Sequence, residues 1–286
     1  MSTSRAKIAV LGAGQMGNGI AHVFAQSGFM VTMIDISRDA LARGRDTISR
    51  NLDRQVKKGT ITAADKDQTL GRITTAESLD AVRDANVVIE AATERKDLKF
   101  KIFSEIDHFV RNDVILASNT SSISITEIAA RTSRPHAVIG MHFMNPVPVM
   151  QLVEVIRGLA TSDETTRRTV ELAKAVGKTP VEASDYPGFI ANRILMPMIN
   201  EAVYCLMEGE GTADAIDTVM KLGMNHPMGP LQLADFIGLD TCQAILEVMH
   251  DGLGDPKYRP CPLLKKYVAA GWLGKKSGRG FYSYPS

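Results

Sequence analysis

Gly12-Ala13-Gly14-Gln15-Met16-Gly17 follows the apolar run Ile8-Ala9-Val10-Leu11 and leads straight into Asn18-Gly19-Ile20-Ala21-His22-Val23-Phe24-Ala25. Eighteen residues beyond Gly17, Asp35 closes a second apolar run, Met30-Val31-Thr32-Met33-Ile34. This is the order strand, glycine turn, helix, strand, acid. Glycines permit the tight turn, let the main chain approach a pyrophosphate, and allow the helix to pack close to the strand. A pyrophosphate there meets unpaired N–H groups and the positive pole of the helix. Asp35 is placed to accept hydrogen bonds from a ribose 2′-hydroxyl and to repel a 2′-phosphate, which favours NAD over NADP. Arg38 is a counter-signal, since it could pair with that phosphate. A bare glycine turn is the bland alternative, and the flanking strands and the acid weigh against it.

Outward from this unit, short β-branched runs alternate with amphipathic helical stretches over roughly the first 185 residues, which predicts a parallel α/β sheet. The candidate strands are Lys7–Leu11, Met30–Asp35, Asn86–Glu90, Asp113–Ser118, Ala137–His142, Leu152–Ile156 and a segment around Pro180–Glu182. Between the second and third lies a long polar helical region from Arg38 to Lys58, ended by Gly59. Thr62-Ala63-Ala64-Asp65 reads as a capping box that starts another helix. This helical pair is longer than an ordinary crossover, and insertions of that size are often functional. The turn-rich stretch Ser184-Asp185-Tyr186-Pro187-Gly188 marks a domain boundary. Beyond it strand signals stop, and Phe189–Glu208, Thr212–Leu222, Gly229–His250 and Pro262–Ala270 read as helices, with Pro197 predicting a kink in the first. The expected architecture is a Rossmann-type doubly wound α/β domain over 1–186 with an inserted helical pair, then an all-α domain over 187–286.

The 33 basic and 32 acidic residues of the 286 leave a net charge of +1, so no global field points to nucleic acid or a membrane surface. Cys205, Cys242 and Cys261 are odd in number and lie in no CxxC spacing, which suits a reducing compartment and idle thiols. The first strand begins near Lys7, so no leader peptide is expected, and no apolar run reaches the ~20 residues that span a bilayer. A cytoplasmic location follows as the expectation.

Among six histidines, His142 is the most suggestive. It ends the apolar run Ala137-Val138-Ile139-Gly140-Met141, and ligands of open α/β sheets bind outside the carboxyl ends of strands. Glu154 sits inside the next apolar run, where a bare charge is costly to bury. A pair between the two answers that cost: the carboxylate fixes the tautomer and stabilises the imidazolium. A strand-end histidine with Glu154 facing solvent is the alternative. His22 and His108 read as surface or packing residues, His136 and His226 adjoin prolines, His250 lies near a helix end, and none has metal-ligand spacing. Ser118-Asn119-Thr120-Ser121-Ser122 follows another strand and could bind a nicotinamide or substrate oxygen; it could equally lead into a helix cap, because Ser124-Ile125-Thr126-Glu127 is a capping box. Arg54 and Lys58 share a helix face beside Lys57, which suits a phosphate or a solvated charge run.

Together these residues resemble the short, single-function L-3-hydroxyacyl-CoA dehydrogenases, closest to their bacterial 3-hydroxybutyryl-CoA branch. The resemblance runs from about Lys7 to the C-terminus. It rests on Leu11–Gly17, Ala117–Ser122, Gly140-Met141-His142-Phe143-Met144-Asn145-Pro146, Pro187-Gly188-Phe189-Ile190-Ala191-Asn192-Arg193, Asn225–Pro230 and Gly271–Tyr282. It implies that His142 is the acid/base, Glu154 its partner, and Ser121 and Asn192 the hydrogen-bonders of substrate oxygens. It implies an NAD site lined by Gly12, Gly14, Gln15, Met16, Gly17, Asp35, Glu94, Lys99, Asn119, Ser121, Asn145 and Lys276. Arg54 and Lys58 fall where the family contacts coenzyme A, and a homodimer through the helical domain is implied as well. One departure is Met144, where many relatives carry Phe. Asn192 lies just past the boundary, so both domains are expected to build the site. The rival readings are a same-fold dehydrogenase of a free hydroxyacid or sugar acid, a non-catalytic NAD-binding protein, and a module of a multifunctional fatty-acid oxidation protein.

Overall fold

The computed structural model describes residues 6–284; the outermost residues of both expected domains, and the expectation that no leader precedes Lys7, lie outside that range. Two compact units adjoin in sequence at Asp185 and Tyr186.

The first unit runs β1 (Lys7–Leu11), α1 (Gln15–Gln26), β2 (Met30–Ile34), α2 (Arg38–Lys57), α3 (Ala63–Gly71), β3 (Ile73–Ala76), β4 (Val87–Glu90), α4 (Lys96–Phe109), β5 (Ile115–Ser118), α5 (Ile125–Ala129), β6 (Val138–Phe143), β7 (Leu152–Arg157), α6 (Asp163–Ala175) and β8 (Thr179–Ser184). The strands form one sheet in the order β3-β2-β1-β4-β5-β6-β7-β8. From β3 to β6 all pairings are parallel. Every residue of β4, β5 and β6 is buried, as expected for strands covered on both faces. On α2 the buried residues Leu41, Gly44, Ile48 and Leu52 recur at helical spacing and face this core. α3 opens on the predicted capping box, with Thr62 and Asp65 bonded to each other's backbone N–H.

The second unit is helical: α7 (Ala191–Glu208), α8 (Ala213–Gly223), α9 (Pro230–Ile237), α10 (Leu239–Leu253) and α11 (Pro262–Ala269). Its core gathers Met196, Ile199, Val203, Leu231, Leu246 and Leu264. The chain is therefore a doubly wound Rossmann-type sheet with an inserted helical pair, followed by an all-α domain.

Four local expectations need correction. β3 was not anticipated: Ile73-Thr74-Thr75-Ala76 is short and half-exposed, and only its pairing with β2 makes it a strand. The sheet is not wholly parallel, because β7 runs antiparallel to β6 and β8 follows β7 in direction. Residues 144–151 are too few for the crossover a parallel pair requires. The segment Gly229–His250 is two helices, broken at Gly238, whose φ of 105° has no place in an α-helix. Finally, Ser124 does cap α5, but Glu127 turns away to pair with Lys96, and Asp185 instead accepts from Ser124 Oγ and from the Ile125 and Thr126 N–H groups.

Candidate active site

α1 starts at Gln15 behind Gly14, which provides no side-chain cap, so the first-turn N–H groups stay available to an anion. A Cβ on Gly17 would lie 1.8 Å from the Gly12 carbonyl oxygen, so this turn closes only with glycine. Met16 packs against the core beneath the turn. Asp35, just past β2, accepts from the Ala13 N–H at 2.8 Å and the Ser37 N–H at 2.9 Å, which holds its carboxylate against the glycine loop. Alongside lies a cleft of ≈ 430 Å³ whose lining includes Gly14, Gln15, Asn18, Arg43, Asn51 and Asn145. A close-approach turn, an uncapped helix start and a fixed acid are the donor and acceptor set that a dinucleotide needs, so these residues fit NAD.

His142 and Glu154 are direct register partners across β6 and β7. His142 Nδ1 lies 2.9 Å from Glu154 Oε2, and both side chains are buried. Glu154 is 2 % exposed, so it does not face solvent. Asn119, at the end of β5, accepts from the Phe143 N–H at 2.9 Å and so ties down the strand end beside His142.

The loop after β5 carries Ser121 and is gripped by Glu94. Glu94 Oε1 accepts from Thr120 Oγ1 at 2.5 Å, from the Ser121 N–H at 2.9 Å and, more loosely, from Ser121 Oγ at 3.3 Å and Ser122 Oγ at 3.2 Å. Burial pushes the Glu94 carboxyl up, but Lys99 at 3.2 Å and these donors outweigh it and hold it below the usual carboxylate range. Lys99 is 1 % exposed and also pairs with the fully buried Glu90 at 2.6 Å.

Sequence reading missed Glu90. The signal was present, since Glu90 ends the apolar run Val87-Val88-Ile89 much as Glu154 interrupts its own. It also missed Lys178, whose buried Nζ donates to the Val147 and Met150 carbonyls at 2.6 and 2.7 Å and fixes the loop that carries Asn145. A lone lysine before a strand gives no such warning. Asn145 itself accepts from Gln15 Nε2 at 3.1 Å. Asp35, Glu94, Asn119, Ser121, His142 and Asn145 thus all follow or end strands of one sheet.

Arg54 and Lys58 stand apart, at the exposed C-terminal end of α2. Arg54 donates to Asn51 at 3.2 Å, and neither cation has a carboxylate partner among the described residues. In the second unit, Asn192 is buried in the first turn of α7, and Lys276 pairs with Asp240 at 2.6 Å. Among the described residues no group of three or more His, Cys, Asp or Glu could hold a metal ion, and no helix is long and apolar enough to cross a membrane.

The family described as 3-hydroxyacyl-CoA dehydrogenase, NAD binding domain, matches residues 7–186, and its C-terminal domain matches residues 188–284. The chain is 58 % identical over 278 residues to the "Probable 3-hydroxybutyryl-CoA dehydrogenase" of Bacillus subtilis, covering 97 % of each. It is 57 % identical to the 3-hydroxybutyryl-CoA dehydrogenase of Bradyrhizobium diazoefficiens, covering 97 % of this chain and 95 % of that one. The crystal structure of (S)-3-hydroxybutyryl-CoA dehydrogenase from Ralstonia eutropha superposes with a TM-score of 0.95 at 54 % identity, covering 98 % and 99 % of the two chains.

Proposed function

Because the chain belongs to the 3-hydroxyacyl-CoA dehydrogenase family, we propose that it interconverts (S)-3-hydroxybutyryl-CoA and acetoacetyl-CoA with NAD, and that His142 and Glu154 are its proton-transfer pair. The observation that carries the assignment is the buried 2.9 Å bond between them at the ligand edge of the sheet. With Glu154 accepting at Nδ1, the basic lone pair of the neutral ring is on Nε2. In the oxidising direction Nε2 takes the 3-hydroxyl proton as the C3–O bond becomes a carbonyl; in reduction the imidazolium returns that proton to the ketone oxygen. NAD supplies the acceptor for the hydride that leaves C3, and NADH its donor. Glu154 stabilises the imidazolium without taking its proton.

The remaining roles follow the family resemblance. Gly12, Gly14, Gln15, Met16, Gly17 and Asp35 hold the pyrophosphate and adenosine ribose. Glu94, Lys99, Asn119, Ser121, Asn145 and Lys276 complete the NAD site. Ser121 and Asn192 bind the substrate oxygens, and Arg54 and Lys58 bind coenzyme A. Residues 1–186 then form the cofactor domain and 187–286 the substrate and dimerisation domain. Exposed apolar side chains of the second unit, among them Ile194, Val219, Leu222, Met224 and Phe236, support a homodimer through it. Three free cysteines support a cytoplasmic location, and the proposed substrate class suits a role in fatty-acid or butanoate metabolism. Steady-state rates on C4 to C16 3-ketoacyl-CoAs with NADH and NADPH test the reading. The expected result is highest kcat/KM on acetoacetyl-CoA with NADH; no turnover of any thioester would overturn it.

A further inference from the structure

Glu90 has no part in the chemistry above, yet its carboxylate is fully buried at the C-terminal end of β4 and is surrounded by donors. Lys99 Nζ lies at 2.6 Å, the Ala92 N–H at 2.7 Å and Ser118 Oγ at 2.6 Å. We propose that Glu90 is a positioning residue for the NAD site, setting the Asn119–Ser122 loop from beneath.

Two arms lead from it. Through Lys99, Glu90 reaches Glu94, which grips Thr120, Ser121 and Ser122. Through Ser118, which also accepts from the Thr120 N–H at 3.2 Å, it reaches the same loop along the chain. Both arms converge on Thr120, between Asn119 and Ser121. The inference rests on the reading of Glu94, Asn119 and Ser121 as NAD-lining residues.

A buried ammonium needs compensation. Glu90 gives Lys99 a partner that is wholly out of water, whereas the Glu94 side chain is 38 % exposed and already engaged by the loop. Without the Glu90 charge, Lys99 keeps the Ala92 carbonyl at 3.3 Å but has Glu94 as its one carboxylate among the described residues, and Glu94 is drawn off the hydroxyls it orders. A site held loosely by its supporting groups binds weakly even when every contact residue is present.

The test is Glu90→Gln, which keeps shape and removes charge, beside Ser118→Ala, which removes one arm and leaves every charge. Melting temperature, Kd for NADH by fluorescence titration, and KM for acetoacetyl-CoA at saturating NADH are measured for each. For Glu90→Gln the expected result is a Kd raised roughly 10- to 100-fold, with a distinctly smaller rise in KM for acetoacetyl-CoA, which also meets Ser121 but is held by Asn192 as well. Ser118→Ala is expected to show a smaller rise in Kd. A folded Glu90→Gln protein that binds NADH as wild type does would overturn the proposal. So would equal losses for NADH and acetoacetyl-CoA in step with the melting temperature, the pattern of a purely structural residue. If Glu90→Gln does not fold, Ser118→Ala decides, and an unchanged Kd overturns the proposal. Failure of the wild type to reduce acetoacetyl-CoA would sink the proposed function while leaving the NADH titration readable.

Discussion

Glu154 meets His142 because β7 runs against β6. Glu154 is the third residue of its strand, and His142 is the next-to-last of its own. In a parallel pair those positions would lie toward opposite edges of the sheet. Reversal makes them direct partners, with side chains on one face. The pair is also held by strands, not loops, and strand-borne sites keep their geometry more tightly.

Replacing either member should therefore change rate, not cofactor affinity. His142→Ala is expected to lower kcat by about 10²–10⁴, the usual worth of a general acid–base. Glu154→Gln should lower kcat as well, because the neutral amide no longer stabilises the imidazolium. Kd for NADH should stay near wild type in both. Wild-type kcat in Glu154→Gln would remove the pair from the mechanism.

Asp35 is anchored by two backbone N–H groups beside the glycine loop, and on the proposed reading of the cofactor site its charge would meet a 2′-phosphate. Like charges brought together cost several kcal/mol, so NADH should exceed NADPH in kcat/KM by roughly 10²-fold or more. Asp35→Ser should narrow that gap, chiefly through NADPH, with exposed Arg38 as the nearby cation. A wild-type preference for NADPH would mean that Asp35 does not govern the choice.

His22 is wholly buried in α1, near Gln26, Gln55 and Lys178, and its pKa is pushed down to about 4. Burial is the main cause, the Gln26 hydrogen bond opposes it, and the Lys178 charge adds to it. The folded value lies below the ordinary 6.5, so the unfolded chain binds the extra proton first. Stability from a neutral His22 is complete above pH 6.5 and declines as pH falls toward 4. Between pH 7 and pH 5 the loss should be about 2 kcal/mol, read from urea unfolding. His22→Gln should flatten the curve over that window, and an identical slope in that variant would show that His22 binds its proton alike in the folded and unfolded states.

Much of this site was legible in the sequence because the glycine turn, Asp35 and the strand-end His142 are local signals. The antiparallel β7 was less so: Leu152-Val153-Glu154-Val155-Ile156 reads the same in either direction, and only the shortness of residues 144–151 betrays it. That expectation even conflicted with pairing Glu154 to His142. Glu90 does end the apolar run Val87-Val88-Ile89, but what makes it matter, its bonds to Lys99 of α4 and Ser118 of β5, is assembled only by the fold. The break at Gly238 hid within a continuous apolar pattern, since periodicity does not register one residue of positive φ.

Arg54 and Lys58 offer the sharpest test of the coenzyme A assignment, because composition gives no hint of an anionic ligand. Both are exposed at the end of α2, and no carboxylate among the described residues neutralises either. A solvated charge run would also sit well there, since cations favour a helix C-terminus. The cofactor's pyrophosphate already has the glycine loop, so a second cationic site implies a second phosphorylated ligand. Coenzyme A brings its phosphates at the nucleotide end, remote from the reacting carbon, and such contacts help to position the thioester. Exposed pairs are individually weak, so Arg54→Ala/Lys58→Ala should raise KM for acetoacetyl-CoA roughly 3- to 10-fold and leave kcat largely intact. The gap to wild type should widen at low salt, where screening is least. The N-acetylcysteamine thioester of acetoacetate, which lacks the nucleotide, should be turned over alike by both proteins. Equal losses on the two substrates would mean that the cations support the fold and do not grip coenzyme A.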